Sequence, residues 1–224
     1  MNISKLVYRS LIYYRGMSIP TLICCVICSA VITGALITGD SVRESLSRFR
    51  ELRLGRTVFS LSAGNRFFRA DLAKEVTQQT GAQTTPLILM RGSATVQGGQ
   101  RSTGDVQIAG VEKDFSDLWN GPIPFPALGQ GEAAVNQRLA EQLDLSAGDE
   151  ILVRVPGLSG LPGDIPFVPA DSTTPSLRLV VRRILSRDGF GRFSLRIDQI
   201  PPKTIFLSRK TLAGHVGKTG HANL

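Results

Sequence analysis

The sequence predicts an α+β protein carried on one N-terminal transmembrane helix, and three observations predict it. Ile19 to Thr38 lie in a run of about twenty-four uncharged residues bounded by Arg15 and Asp40, and a helix needs roughly twenty to cross a bilayer. Downstream, short β-patterned runs alternate with helical ones, separated by Gly, Pro, Asn and Asp. The totals are globular: 224 residues, 42% hydrophobic and 20% charged, enough for one domain of about 150 to 200 residues plus an anchor.

Residues Ile3 to Arg15 predict an amphipathic helix, with Ile3, Leu6, Val7, Leu11 and Tyr14 on one side and Lys5 and Arg9 on another. Tyr8, Tyr13 and Tyr14 are all the tyrosines of the chain, and phenol rings beside basic groups favour the headgroup layer, so residues 1–17 are read as an interfacial helix. The chain is expected to turn into the membrane at Gly16 and Ser18, with Pro20 in a first helical turn where its missing donor costs little.

Residues 18–39 are the span. Its few polar atoms belong to Thr21, Ser29, Thr33 and the cysteines, and a hydroxyl can bond the carbonyl one turn back. A cleavable signal peptide would have a shorter apolar core followed by a small-x-small site. A lipoprotein site is contradicted by Ile27 before Cys28.

Val42, Leu46, Phe49 and Leu52 recur every three to four residues among Arg43, Glu44, Arg48, Arg50, Glu51 and Arg53, so the helix continues as a stalk over 40–55 and stops at Gly55. From Ser18 to Leu54 this is roughly 55 Å of helix against about 30 Å of hydrocarbon.

The α+β domain is placed at 56–213. Strands are expected at Thr57–Leu61, Thr85–Val96 with an interruption at Gly92, Asp105–Val111, Glu132–Val135, Glu150–Val155, Leu177–Leu185 and Thr204–Leu207. Helices are expected at Ala70–Gln79, ended by Gly81, and at Arg138–Leu143, capped by Asn136. Phe115, Leu118 and Trp119 sit in a loop or helical turn, and Pro122, Pro124 and Pro126 forbid regular structure after it. Residues 156–175 hold five prolines and three glycines and read as a long loop or arm. Arg187 to Arg196 is a glycine-containing connection, and 214–224 reads as a polar tail.

No catalytic, cofactor-binding or metal-ligating residue is predicted, although several patterns invite one. Gly217-Lys218-Thr219 resembles the end of a phosphate-binding P-loop, but the required earlier glycine is Leu212 and too little chain follows for the helix. His215 and His221 lack ligating company, and no serine sits in a nucleophile elbow. Asp105, Glu112 and Asp114 could pair as carboxylates, yet short acidic stretches in loops are usually solvated. Cys24, Cys25 and Cys28 all lie in the span, which excludes a disulfide framework for the soluble part and favours packing over metal binding. The net charge of +8 is spread along the chain, unlike the single basic face of a nucleic-acid protein.

Several local words, in order, resemble the first part of a MacB/FtsX-type ABC transporter permease. They are Leu36-Ile37-Thr38-Gly39-Asp40-Ser41-Val42-Arg43-Glu44-Ser45-Leu46 with Leu54-Gly55-Arg56-Thr57, then Ile108-Ala109-Gly110-Val111-Glu112-Lys113-Asp114-Phe115. They continue with Ala134-Val135-Asn136-Gln137-Arg138-Leu139-Ala140, Leu145-Ser146-Ala147-Gly148-Asp149-Glu150-Ile151, Phe193-Ser194-Leu195-Arg196 and Pro201-Pro202-Lys203-Thr204-Ile205-Phe206-Leu207. The resemblance implies a domain of MacB periplasmic core type on the outer side of a bacterial inner membrane. It implies no enzyme in this chain, a separate ABC ATPase subunit, a second permease copy or paralogue, and an extracytoplasmic adaptor or lipoprotein as partners. The family has further spans, and no second apolar span follows residue 38, so the expectation is an N-terminal fragment.

Two alternatives compete. One is a single-pass anchored interaction module without transport activity. The other, favoured by Arg43, Arg48, Arg50, Arg53 and Arg56 following the span, puts the basic domain in the cytosol.

Overall fold

The computed structural model describes residues 3–64, 66–99, 101–119, 125–155, 176–186, 190–196 and 200–224. The chain divides into two units, one up to Phe49 and one from Arg50 to Leu224. The expected loop at 156–175, Pro122 and Pro124, and part of the 187–196 connection lie outside the described residues.

In the first unit, helix α1 spans Ile3–Tyr13 and helix α2 begins at Arg15 and runs to Leu54. The break falls at Tyr14, earlier than the expected turn at Gly16 and Ser18. Pro20 therefore sits inside α2 and not in its first turn. The hydroxyls bond as the lipid argument requires: Thr21 Oγ1 donates to the Met17 carbonyl at 2.8 Å, Thr33 to Ser29 at 2.7 Å and Thr38 to Gly34 at 2.9 Å. No residue of α2 is buried, and Leu22, Val31, Ile32 and Leu36 are each more than half exposed. The helix is long and apolar enough to cross a membrane.

The second unit is built on a closed six-stranded barrel. Its strands are β2 (Ile88–Val96), β3 (Ser102–Val111), β4 (Glu132–Asn136), β5 (Glu150–Arg154), β6 (Ser176–Leu185) and β7 (Lys203–Ser208). They close in the order β2-β3-β7-β4-β6-β5. The β3–β7 and β4–β6 pairs are parallel and the remainder antiparallel. Gly92 makes closure possible: β2 shifts register between Gly92 and Ala94, and a Cβ at Gly92 would lie 2.1 Å from the Arg154 carbonyl oxygen of β5.

Alternation along the strands makes two cores. Ile108, Ala133, Val135, Ile151, Val153, Leu179, Val181, Ile205 and Leu207 form one cluster, joined by Leu139 and Leu143 of helix α4 (Gln137–Leu143) and by Leu212 and Ala213 of helix α5 (Arg209–His215). The intervening residues Ala109, Ala134 and Phe206 belong to a second cluster with Phe115, Phe190 and Phe193. β3, β4 and β7 are thus buried on both faces, whereas β5 and β6 alternate buried and open positions.

Outside the barrel, β1 (Phe68–Arg69) pairs with β8 (His221–Ala222), and helix α3 spans Leu72–Thr80 with Gly81 left-handed at its end. Two expectations need correction. Thr57–Leu61 has the composition of a strand but pairs with nothing among the described residues. Residues 214–224, read as a polar tail, carry the end of α5 and all of β8, with Ala222 and Asn223 buried. Asn223 explains the anchorage: its Oδ1 accepts from Leu89 N–H at 2.7 Å, and its Nδ2 donates to the Gly64 and Leu89 carbonyls.

Candidate functional site

The described residues show three structural nodes, and one of them lies at the end of α2. The last turn of α2 belongs to the second unit, and Gly55 ends it at φ +55. There the chain passes so close to the 3-10 turn Lys113–Leu118 that a Cβ on Gly55 would lie 2.1 Å from the Leu118 carbonyl oxygen. That carbonyl accepts from the Arg56 N–H at 2.8 Å. Glycine is required twice, for the left-handed φ and for the close approach.

Behind Leu118 lies a stack of aromatic rings. Trp119 lies 4.9 Å from Phe190, and Phe115 lies 4.7 Å from Phe190, 5.2 Å from Phe193 and 6.0 Å from Phe206 of β7. These tilted and edge-on contacts pack the turn closely against β7. Arg53 adds a second tie, its Nη1 reaching the Arg196 carbonyl at 3.5 Å. Trp119 Nε1 and Thr57 Oγ1 are buried without a hydrogen-bond partner among the described residues. A buried unpaired donor costs about 1–3 kcal/mol.

The second node is Asn136. It is 1% exposed, caps α4 by accepting from Leu139 N–H at 3.1 Å, accepts from Thr204 N–H at 3.0 Å, and donates to the Gly191 and Pro202 carbonyls at 3.0 and 2.7 Å. The third joins Glu112, just after β3, to Arg209 of α5. Arg209 Nε donates to Glu112 Oε1 at 2.7 Å and Nη1 to the His221 carbonyl at 3.0 Å. Their partners are entirely within the fold, so both nodes fix architecture.

The patterns that invited chemistry are dispersed. Asp105 pairs with Arg91 at 2.9 Å, Glu112 with Arg209, and Asp114 is exposed. Gly217-Lys218-Thr219 forms a tight turn in which Lys218 N–H donates to Ala213 and His221 N–H to Lys218. His215 ends α5 and His221 opens β8, its Nδ1 2.9 Å from the Thr219 carbonyl. Cys24, Cys25 and Cys28 are free thiols on α2. The Lys74 ammonium, bonded to Asp71 at 3.0 Å, holds the Asp71 carboxyl below the usual carboxylate range on open surface.

The aromatic residues at 115, 119 and 190 were visible in the sequence as apolar positions in loops, but nothing local joined them. The Gly55–Leu118 contact, between residues far apart in the chain, has no sequence signal beyond the glycine itself.

No family model matches the chain, and no curated protein sequence matches it. Among solved structures the chain is similar to the periplasmic region of MacB from Actinobacillus actinomycetemcomitans, with a TM-score of 0.42 and 11% identity over 70% of this chain and 62% of that one. It is also similar to the extracellular domain of the noncanonic ABC-type transporter YknZ from Gram-positive bacteria, with a TM-score of 0.45 and 11% identity over 76% of this chain and 78% of that one. The chain therefore spans less than two thirds of the MacB region.

Proposed function

We propose that this chain is a non-catalytic permease component of an ABC transporter, anchored in a bacterial inner membrane by residues 18–39, with its barrel domain on the extracytoplasmic side. A separate ATPase subunit supplies the motion, and α2 passes it to the barrel. A second permease copy and an extracytoplasmic adaptor or lipoprotein are the expected partners, and the domain takes part in export or extraction of a substrate.

The observation that carries this reading is the continuity of α2. It runs from Arg15 to Leu54 as one helix, so about 21 Å of it lies between Asp40 and Leu54. A helix bends sharply only at a named weak point, and none falls between Asp40 and Leu54. Gly55 and Leu118 then fasten its end to the aromatic layer on β7. A mere tether would need neither feature.

The test is Ser47→Pro, with Ser47→Ala as control. Proline removes the N–H at 47 and clashes with the preceding turn, bending the lever without touching the span. The expected result is ATP hydrolysis that continues while transport falls; transport per ATP equal to the control would overturn the lever. Topology is read separately, by labelling Ser102→Cys in intact cells with an impermeant thiol reagent on a background free of the three native cysteines. Protection would favour the cytosolic reading instead.

A further inference from the structure

We propose that Thr57–Ala63 is an interaction strand that pairs antiparallel with the same segment of a second copy of this chain, centred on Ser60. The proposal goes beyond the lever reading and needs no ATPase.

The segment is anomalous in its exposure. Val58 is 80%, Phe59 92% and Leu61 69% exposed, although Phe59 and Leu61 alternate with Ser60 and Ser62 as in a half-buried strand. It sits beside ordered structure, since Ala63 N–H donates to the Asn223 carbonyl at 2.9 Å. Backbone groups alternate in direction along a strand. Residues 59, 61 and 63 would therefore offer theirs toward the Asn223 side, leaving 58, 60 and 62 as the open edge. Proteins do not ordinarily leave such an edge uncovered.

A second copy fits that edge by register and charge. Antiparallel pairing centred on Ser60 sets Phe59 against Leu61 of the other copy, twice, on one face, and Val58 against Ser62. No charged residue occurs from Thr57 to Gly64, so none faces another within the paired segment.

The area decides where the pairing would form. Val58, Phe59 and Leu61 expose on the order of 400 Å² per copy, about half of the roughly 800 Å² a side of a standard interface. Two free chains would pair weakly; two chains held by α2 in one membrane gain effective concentration.

The test uses the full chain in liposomes, with Cys24, Cys25 and Cys28 replaced by serine and insertion verified by flotation. Ser60→Cys, Val58→Cys and Ser62→Cys are oxidised in parallel. Across the two-fold pair, residue 60 meets its own copy at about 5.5 Å, within disulfide reach, whereas 58 and 62 each lie about 14 Å from theirs. Disulfide dimer from Ser60→Cys is expected to form about tenfold or more faster than from either neighbour, and Phe59→Lys in the Ser60→Cys chain should abolish it. Equal rates at 58, 60 and 62, no dimer at 60, or dimer unaffected by Phe59→Lys would overturn the proposal. So would a Ser60→Cys thiol shielded from soluble maleimide without dimer, which would assign the edge to another occupant. Phe59 is exposed, so its replacement leaves folding intact.

Discussion

Replacing Gly55 by alanine puts a methyl carbon 2.1 Å from the Leu118 carbonyl oxygen, inside any tolerable contact, on a residue held at φ +55. The left-handed conformation alone costs an alanine about 1–2 kcal/mol. Overpacking against a backbone atom adds about 1–3 kcal/mol. Outward movement of the 113–118 turn to make room for the methyl group would stretch the 2.8 Å bond from Arg56 N–H to the Leu118 carbonyl. The total is about 3 kcal/mol.

Gly81 supplies the control. It is also left-handed, at φ +70, but a Cβ there meets nothing within 4 Å, so Gly81→Ala carries only the conformational cost, about 1–2 kcal/mol. Trp119 is the one tryptophan of the chain and follows Leu118 directly, so its fluorescence reports on the junction. In urea unfolding of the full chain in detergent, with a slope near 2 kcal/mol/M, Gly55→Ala should lower the midpoint by about 1.5 M, roughly twice the shift for Gly81→Ala. Equal shifts for the two variants would refute the close-approach argument, because only the contact distinguishes them.

Asn136→Ala removes four hydrogen bonds from a residue that is 1% exposed and strands backbone groups of Thr204, Gly191 and Pro202. A loss of about 3–5 kcal/mol is expected in the same unfolding assay, and a loss under about 1 kcal/mol would show that the node is dispensable. Glu112 and Arg209 should behave unequally. The Arg209 side chain is 10% exposed and that of Glu112 31%, so Glu112→Ala strands a buried cation and costs about 3 kcal/mol, whereas Arg209→Met leaves a carboxylate that water reaches and costs less. The reverse order in unfolding midpoints would contradict that assignment.

Local sequence signals located most elements for reasons that are themselves local. Asn136 and Gly81 announced a helix start and a helix end, Gly92 the irregularity in β2, and the hydroxyls at Thr21 and Thr33 the back-bonding in α2. The closed barrel was hidden, because its parallel pairs β3–β7 and β4–β6 join residues about fifty to a hundred apart, and no period in either strand names its partner. Both-face burial blurred the signal further: Ile205, Phe206 and Leu207 are consecutive apolar residues serving two clusters, a pattern shared by any buried strand. The two segments misread, 57–61 and 214–224, adjoin one another through Ala63 and Asn223. In the tail the Asn223 side chain, the β1–β8 pair and backbone bonds from Asn223 and Leu224 to Leu87 do the anchoring, and polarity there was mistaken for solvent. At 57–61 the β-like composition was read as a strand, but pairing depends on a neighbouring chain segment that composition does not specify, and none is paired there among the described residues. Exposure of 92% at Phe59 then carries information the sequence lacked: an apolar stretch that no described residue covers, so cross-linking at Ser60 asks directly whether a second copy covers it.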